Sequence, residues 1–372
     1  MAAEGAYQAA LRAVAGDFVM SKVARSMFRH RDFPIKVLAV GKAASAMVAG
    51  LVQDRPGIAT GLVITTELDN GPRYDGFNFF VSSHPIPDER SLIAGERALE
   101  FAASCQPSDR VVLLLSGGAS ALMESLRPGI GLRDFQFQTR QVMNSGADIF
   151  ALNEFRQQHS LTKSGGLARA LGHVKWKRAY VISDVIGDDF CTIGSGPFWD
   201  EEQSIPHRVV ANNAMAVQAA RAHLLQNKFW IEELEPLPFV MQDATEFGER
   251  LGLQVSALLD REAVVYGGEP TLTVIGDIPG GRSQHVALVA ATKMGWMGTA
   301  ILAAGTDGRD GATNYAGASI TAQDKPTPTR IEEFNTAIRS FDTTRILEEE
   351  NWALPAAYTG TNVNDIFIAI RA

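Results

Sequence analysis

Lys36-Val-Leu-Ala-Val-Gly-Lys-Ala-Ala-Ser-Ala-Met-Val48 decides the fold. A short apolar strand runs into a glycine and then into a small-residue helix. The same order returns at Arg110–Ser120, where a continuous apolar run breaks at Ser116-Gly-Gly-Ala-Ser. It returns again at 178–197, where Ala179-Tyr-Val-Ile ends in Ser183-Asp184 and then Asp188, Asp189, Gly194, Gly196 and Pro197. Strands buried on both faces read as continuous apolar runs, and strand–helix alternation points to a parallel sheet covered by helices. Open sheets of this kind place ligand chemistry at the carboxyl ends of their strands.

Working outward, the first ~30 residues carry apolar positions at helical spacing. Pro85, Pro87 and Asp88 precede a helix expected from about Glu89 to Cys105. Helical patterns cover about 132–171, and another helix is expected at about 212–227. From 263 the texture shifts to short β-rich runs, Val264–Tyr266, Thr271–Ile275 and Thr299–Ala304, with one helix at Gln284–Met294. The expected division is a larger Rossmann-like α/β domain over 1–262 and a smaller α/β domain over 263–372.

Of the 372 residues, 46% are hydrophobic and 20% charged, which is globular composition. The net charge of −8 and the lack of a basic stripe argue against nucleic acid as a partner. Two cysteines far apart, Cys105 and Cys191, suggest neither a zinc knuckle nor a disulfide framework. No apolar run approaches a membrane span, and no leader pattern is visible at the start. A cytoplasmic protein without membrane association is expected, and self-association is left open.

Two standard phosphate fingerprints are absent: Gly-x-Gly-x-x-Gly after a strand, and Gly-x-x-x-x-Gly-Lys-Ser/Thr. Other glycine turns stand in their places. Gly41-Lys42 puts a cation where a helix begins, an unfavourable position unless an anion is held there. Ser116, Gly117, Gly118, Ala119 and Ser120 allow close backbone approach to an anion, though a plain tight turn reads the same way. Gly267-Gly-Glu-Pro and Gly280-Gly-Arg-Ser-Gln form a second pair. Arg282 suits phosphate or carboxylate, and Glu269 either shares that site or simply pairs with Arg282. Asp307 and Asp310 resemble a fragment of a calcium loop lacking its bidentate Glu, so Mg²⁺ proximity is the reading. Thr359-Gly-Thr-Asn-Val-Asn-Asp365 offers Asn362 to ligand oxygens, but such residues also build turns. No Gly-x-Ser-x-Gly elbow is present, which disfavours a serine hydrolase.

Taken in order, these motifs resemble the class II glycerate kinases, glycerate 2-kinases of the MOFRL family. The likeness runs from about Val37 to the C-terminus. It rests on Val40-Gly-Lys-Ala-Ala, Ser83-His-Pro-Ile-Pro-Asp, Leu114-Leu-Ser-Gly-Gly-Ala-Ser-Ala-Leu and Asn153 through Ser160 to Lys163. It continues through Ser183-Asp-Val-Ile-Gly-Asp-Asp, Gly194-Ser-Gly-Pro, Asn212-Asn, Gly267-Gly-Glu-Pro-Thr, Gly280-Gly-Arg, the Gly305 loop and Thr359–Asp365. The resemblance implies two α/β domains with the active site in the cleft between them. It implies transfer of the ATP γ-phosphoryl group to the 2-hydroxyl of D-glycerate, giving 2-phosphoglycerate, with a divalent cation.

On that expectation Lys42 and Arg282 offset charge on the phosphoryl group, and residues 116–120 cradle either the substrate carboxylate or a phosphate. Asp184 is either the general base or a Mg²⁺ ligand, and Asp188, Asp189 and Asp307 complete the metal shell. The chain departs from the family pattern at Gly166 for an arginine, His285 for an acid, Asn314 for an aspartate, and Ala357-Tyr358 for Gly-Pro. The alternatives are a kinase for a related hydroxy acid, a hydroxypyruvate reductase and a non-catalytic sugar-acid-binding homologue.

Overall fold

The computed structural model describes residues 2–30, 32–67, 69–144, 149–231, 239–273, 280–295, 297–321 and 326–372. The chain forms two compact units. The first comprises residues 14–212 and 360–362; the second comprises 1–13, 213–359 and 363–372.

The first unit is built on a six-stranded sheet. Its strands are β1 (Ile35–Val40), β2 (Ala59–Thr65), β3 (Phe77–Val81), β4 (Arg110–Leu115), β5 (Trp176–Ile182) and β6 (His207–Ala211). Their order is β3-β2-β1-β4-β5-β6, and every pairing is parallel. This is the doubly wound order, in which the strand sequence reverses direction between β1 and β4. The apolar runs of β1 and β4 are buried almost throughout, as strands covered on both faces must be. Leu38, Val40, Leu113, Leu115 and Val181 share one core with Ala94, Ala98 and Ala102 of the helix Glu89–Ser104. Asp88 starts that helix: its Oδ1 accepts from Arg90 N at 2.8 Å, and its own N–H donates to Ser91 Oγ at 3.2 Å.

The second unit holds a mixed sheet of β7 (Trp230–Ile231), β8 (Phe239–Val240), β9 (Glu262–Gly268), β10 (Thr299–Gly305), β11 (Tyr315–Thr321), β12 (Ala353–Pro355) and β13 (Asp365–Arg371). The order β12-β11-β10-β13-β9 is antiparallel throughout, while β7 and β8 pair parallel to β9. Helices Ala244–Ala257 and Arg282–Lys293 close one core with it, around Phe247, Leu251, Val286 and Phe367. The Phe247 and Phe367 rings meet edge-on at 4.9 Å between centroids, a favoured aromatic geometry.

The compact units are drawn differently from the expected division at 262/263. Residues 213–261 belong with the second sheet, because helix Ala244–Ala257 buries its apolar face there. Among the described residues, the span 132–171 holds three helices, Leu132–Asn144, Ile149–His159 and Gly166–Ala170. The strand expected at Thr271–Ile275 is not formed at 271–273, where Thr271 makes only an isolated bridge with Asp243; 274 and 275 lie outside the described residues. Among the described residues no helix is long and apolar enough to cross a membrane.

Candidate active site

The carboxyl ends of β1, β4 and β5 carry most of the first unit's predicted site. The turns after β1 and β4 are stitched to each other. Ser116 N donates to Val40 O at 3.0 Å, Lys42 N to Gly117 O at 2.9 Å, and Ala43 N to Ser116 Oγ at 3.0 Å. That stitching requires Gly41, whose φ is +129°; a Cβ there would lie 2.8 Å from the Ser116 carbonyl carbon and overlap its Oγ. Lys42 precedes the helix Ala44–Val52 rather than standing inside it.

Gly117 is where the site closes on itself. Asp184 Oδ2 accepts from Asn362 Nδ2 at 3.1 Å, and both side chains press on the Gly117 backbone. A Cβ on Gly117 would stand 2.8 Å from Asp184 Cγ and overlap Asp184 Oδ2 and Asn362 Nδ2. A Cβ on Gly118, at φ +84°, would meet His84 Cδ2 at 3.0 Å and Lys42 Cγ at 3.3 Å. Lys42, His84, Asp184 and Asn362 therefore converge on one two-glycine turn at the switch point of the sheet. Ala119 and Ser120 open a single helical turn, Ala119–Leu122.

Asp188 and Asp189 stand further along the same loop and serve it. Asp188 Oδ2 accepts from Asn212 Nδ2 at 2.7 Å. Asp189 accepts from Cys191 N at 3.1 Å and Thr192 Oγ1 at 2.6 Å.

In the second unit, Gly281 precedes the helix that Arg282 opens. Arg282 Nε and Nη2 donate to the two oxygens of Asp365 at 2.6 and 3.3 Å, and Nη1 donates to Glu269 at 2.6 Å. The pairing of Glu269 with Arg282 is thus present. Burial works against the Arg282 charge, but Asp365 and Glu269 together hold its pKa above the ordinary value. Asp365 is pushed up by burial, Arg282 opposing and Glu269 and Asp307 adding to the rise. Asp310 is buried and pushed up to about 7, chiefly by desolvation and then by Asp365. Its carboxylate nevertheless accepts from Ser283 N at 3.2 Å and Gln284 N at 2.8 Å, tying down the start of the Arg282 helix. Burial and the nearby Asp307, Asp365 and Asp310 raise the Tyr7 phenol, which donates to Gly305 O at 2.6 Å.

Asp307 lies beside Asp365 at Gly305, its Oδ1 also accepting from Arg309 N at 3.1 Å. Among the described residues no group of three or more His, Cys, Asp or Glu side chains could jointly hold a metal ion. A cation here would rest on single carboxylates, which suits Mg²⁺ only if water and phosphate complete its shell.

Sequence reasoning passed over Asp365, which ends a motif from which only Asn362 was singled out, and a buried group beneath the 116–120 turn. There Lys163 Nζ donates to Glu124 Oε2 at 2.6 Å, and Arg156 Nη1 donates to Ser120 Oγ at 3.1 Å. The Asn153–Lys163 motif held both cations, but its spacing alone did not single out Arg156 or Lys163. The Asn153 side chain lies outside the described residues.

A family model described as Domain of unknown function (DUF4147) matches residues 2–225, and that of the MOFRL family matches 262–365. The chain belongs to the DUF4147–MOFRL family. This DUF4147–MOFRL chain is 28% identical over 375 residues to the D-glycerate 2-kinase of Thermotoga maritima, with 90% of each protein covered. It is 29% identical to the glycerate 2-kinase of Pyrococcus horikoshii, over 91% of this chain and 89% of that protein. Its structure resembles the crystal structure of Thermotoga maritima glycerate kinase with a TM-score of 0.82 at 27% identity, covering 99% and 98% of the two chains.

Proposed function

We propose that this protein is an ATP-dependent kinase that phosphorylates the 2-hydroxyl of D-glycerate, or of a closely related hydroxy acid, giving 2-phosphoglycerate or its analogue. The observation that carries the reading is the convergence of Lys42, Asp184 and Asn362 on the Gly117-Gly118 turn. A cation, a carboxylate and a backbone that tolerates close approach are what phosphoryl transfer needs from a protein, since positioning and charge neutralisation do most of the work. The names of the relatives support the same reaction.

In this reading Ser116–Ser120 receives an anionic group of a reactant. Asp184 either takes the proton of the 2-hydroxyl or contributes to the metal shell. Lys42 offsets charge on the transferring phosphoryl group. Arg282, oriented by Asp365 and Glu269, is a second candidate for that role. Mg²⁺, when bound, would supply neutralisation of the charge on the phosphate oxygens. Asp307 would hold it from one acidic cluster, whereas Asp188 is engaged by Asn212 after β6 and Asp189 by its own loop.

The test is ADP release in a coupled assay across D-glycerate, L-glycerate, tartrate and threonate, with and without Mg²⁺. Turnover with one acid stereoisomer supports the reading. NADH consumption with hydroxypyruvate in the absence of ATP would replace it by a reductase, and acid binding without turnover would replace it by a binding protein.

A further inference from the structure

Arg156 stands in the helix Ile149–His159 and is 6% exposed. Its Nη1 donates to Ser120 Oγ at 3.1 Å, and Ser120 Oγ lies 2.7 Å from Ser195 Oγ. Its Nε is buried and, among the described residues, has no hydrogen-bond partner. Buried donors of this kind call for an explanation, because leaving one unmade is costly.

The charges around it do not close either. Glu124 is the acid that acts on Arg156, but its oxygens are already engaged: Oε2 accepts from Lys163 Nζ at 2.6 Å, and Oε1 from Ser125 N at 3.0 Å. Lys163 and Glu124 are both fully buried. Among the described residues, two buried cations face one carboxylate, which leaves one positive charge unmatched. Burial pushes the Arg156 guanidinium down, and Glu124 only partly opposes this. An anion would answer both the orphaned Nε and the excess charge. Ser120 is half-buried, so this group meets the 116–120 turn rather than being sealed in the core.

We infer that Arg156, with the hydroxyls of Ser120 and Ser195, is the seat for the carboxylate of the hydroxy-acid substrate. The inference rests on the proposed kinase reading and deepens it, naming the residue that selects an acid over a neutral polyol. One unmatched charge fits a monoanionic carboxylate; the polyphosphate of a nucleotide carries several. A planar guanidinium presents a fixed fork that matches the two oxygens of a carboxylate, which an ammonium cannot do. Arg156 thus acts on specificity, while Lys42 and Arg282 serve the phosphoryl group.

The experiment compares Arg156→Gln, Arg156→Lys and Ser120→Ala with the unaltered protein. KM is measured separately for D-glycerate and for ATP, and activity with D-glycerate is set against its neutral amide. A thermal-shift titration with D-glycerate alone reads binding without turnover. Arg156→Gln is expected to raise KM for the acid by at least ~30-fold, as for a buried charge that loses its partner. KM for ATP should stay within threefold, and the preference for acid over amide should collapse. Arg156→Lys should recover part of the acid affinity, and Ser120→Ala should lose less. If Arg156→Gln does not fold, Arg156→Lys and Ser120→Ala carry the test.

An unchanged acid KM in folded Arg156→Lys and Ser120→Ala, with acid preferred over amide as before, overturns the assignment. So does a rise confined to the KM for ATP, which would make this a phosphate seat. If the unaltered protein turns over no acid, the kinase reading fails; a thermal shift with D-glycerate that Arg156→Gln abolishes would still uphold the seat.

Discussion

Adding one methyl group at Gly117 should silence the site while sparing the fold. Gly117 has an ordinary negative-φ backbone, so Gly117→Ala carries no conformational penalty of its own. Its cost comes from what the Cβ meets: Asp184 Cγ at 2.8 Å, with Asp184 Oδ2 and Asn362 Nδ2 closer still. Carbon atoms rest at about 3.5–4.0 Å, so the carboxyl must retreat by more than about half an ångström and the amide with it. Both atoms are side-chain ends, so the displacement can be absorbed locally. Their 3.1 Å hydrogen bond is the first casualty.

Misplacing a reacting group by about 1 Å costs on the order of 10²-fold in rate. The expected outcome is a ~10²-fold loss in kcat/KM for the acid with a melting temperature within a few degrees of the parent. Two other glycines serve as controls. Gly57→Ala, at φ +83° with nothing within 4 Å, should cost ~1 kcal/mol of stability and no activity. Gly50→Ala drives a Cβ to 2.7 Å from Asp17 Cα, into backbone, and should lower stability sharply. Steady-state kinetics and thermal melts on the three variants decide the matter. Activity of Gly117→Ala within threefold of the parent would refute the assignment of Asp184 and Asn362 to the working site.

Lys42→Ala and Arg282→Ala should each lower kcat/KM for ADP release by ~10²–10³-fold, the usual loss when a preorganised charge is removed from a transition state; unchanged kinetics would clear either residue of that role. Lys163→Met should destabilise the first unit by about 3 kcal/mol in urea unfolding, because Glu124 stays buried without its partner. It should also raise the acid KM, since the unmatched charge beside Arg156 disappears. His285 sets a pH dependence: burial lowers its pKa to about 4, from about 6.5 in the unfolded chain. The unfolded state therefore binds more protons between those values. Stability should fall as pH drops from 6.5 toward 4, by up to about 3 kcal/mol, and His285→Gln should flatten that slope in melts against pH.

The parallel sheet was legible because β1 and β4 announce themselves as uninterrupted apolar runs ending in glycine, a pattern set by burial on both faces. The glycine turns after these strands were legible for the same reason, since the chain must break where each strand ends. The second sheet was less so. Its antiparallel strands Asp365–Arg371 and Thr299–Gly305 are also buried, Arg371 excepted, and nothing in a continuous apolar run reveals the direction of its partner. The membership of residues 213–261 was hidden too, because the apolar face of Ala244–Ala257 would suit either core and only packing decides. Arg282 was found from its helix-opening position, but Asp365, which orients it, lies 83 residues away in sequence.

The departure at Gly166 now has a physical consequence. A Cβ at that position would stand 2.7 Å from the Leu161 carbonyl carbon and overlap its oxygen, which is backbone and cannot swing aside. The arginine that the family resemblance leads one to expect cannot be placed there by one substitution without moving the segment between Lys163 and the helix Gly166–Ala170. In the proposed reading the first unit draws the guanidinium of its acid site from elsewhere, and Arg156 is buried against Ser120 at the turn itself. With Lys163 committed to Glu124, the charge that remains is held on a rigid, desolvated fork. Such a group discriminates by the cost of leaving it unpaired as much as by the bond it forms. A neutral polyol would leave that charge unmet. The selectivity of this enzyme for acids should therefore depend more on the residues beneath the 116–120 turn than on the glycines that form it.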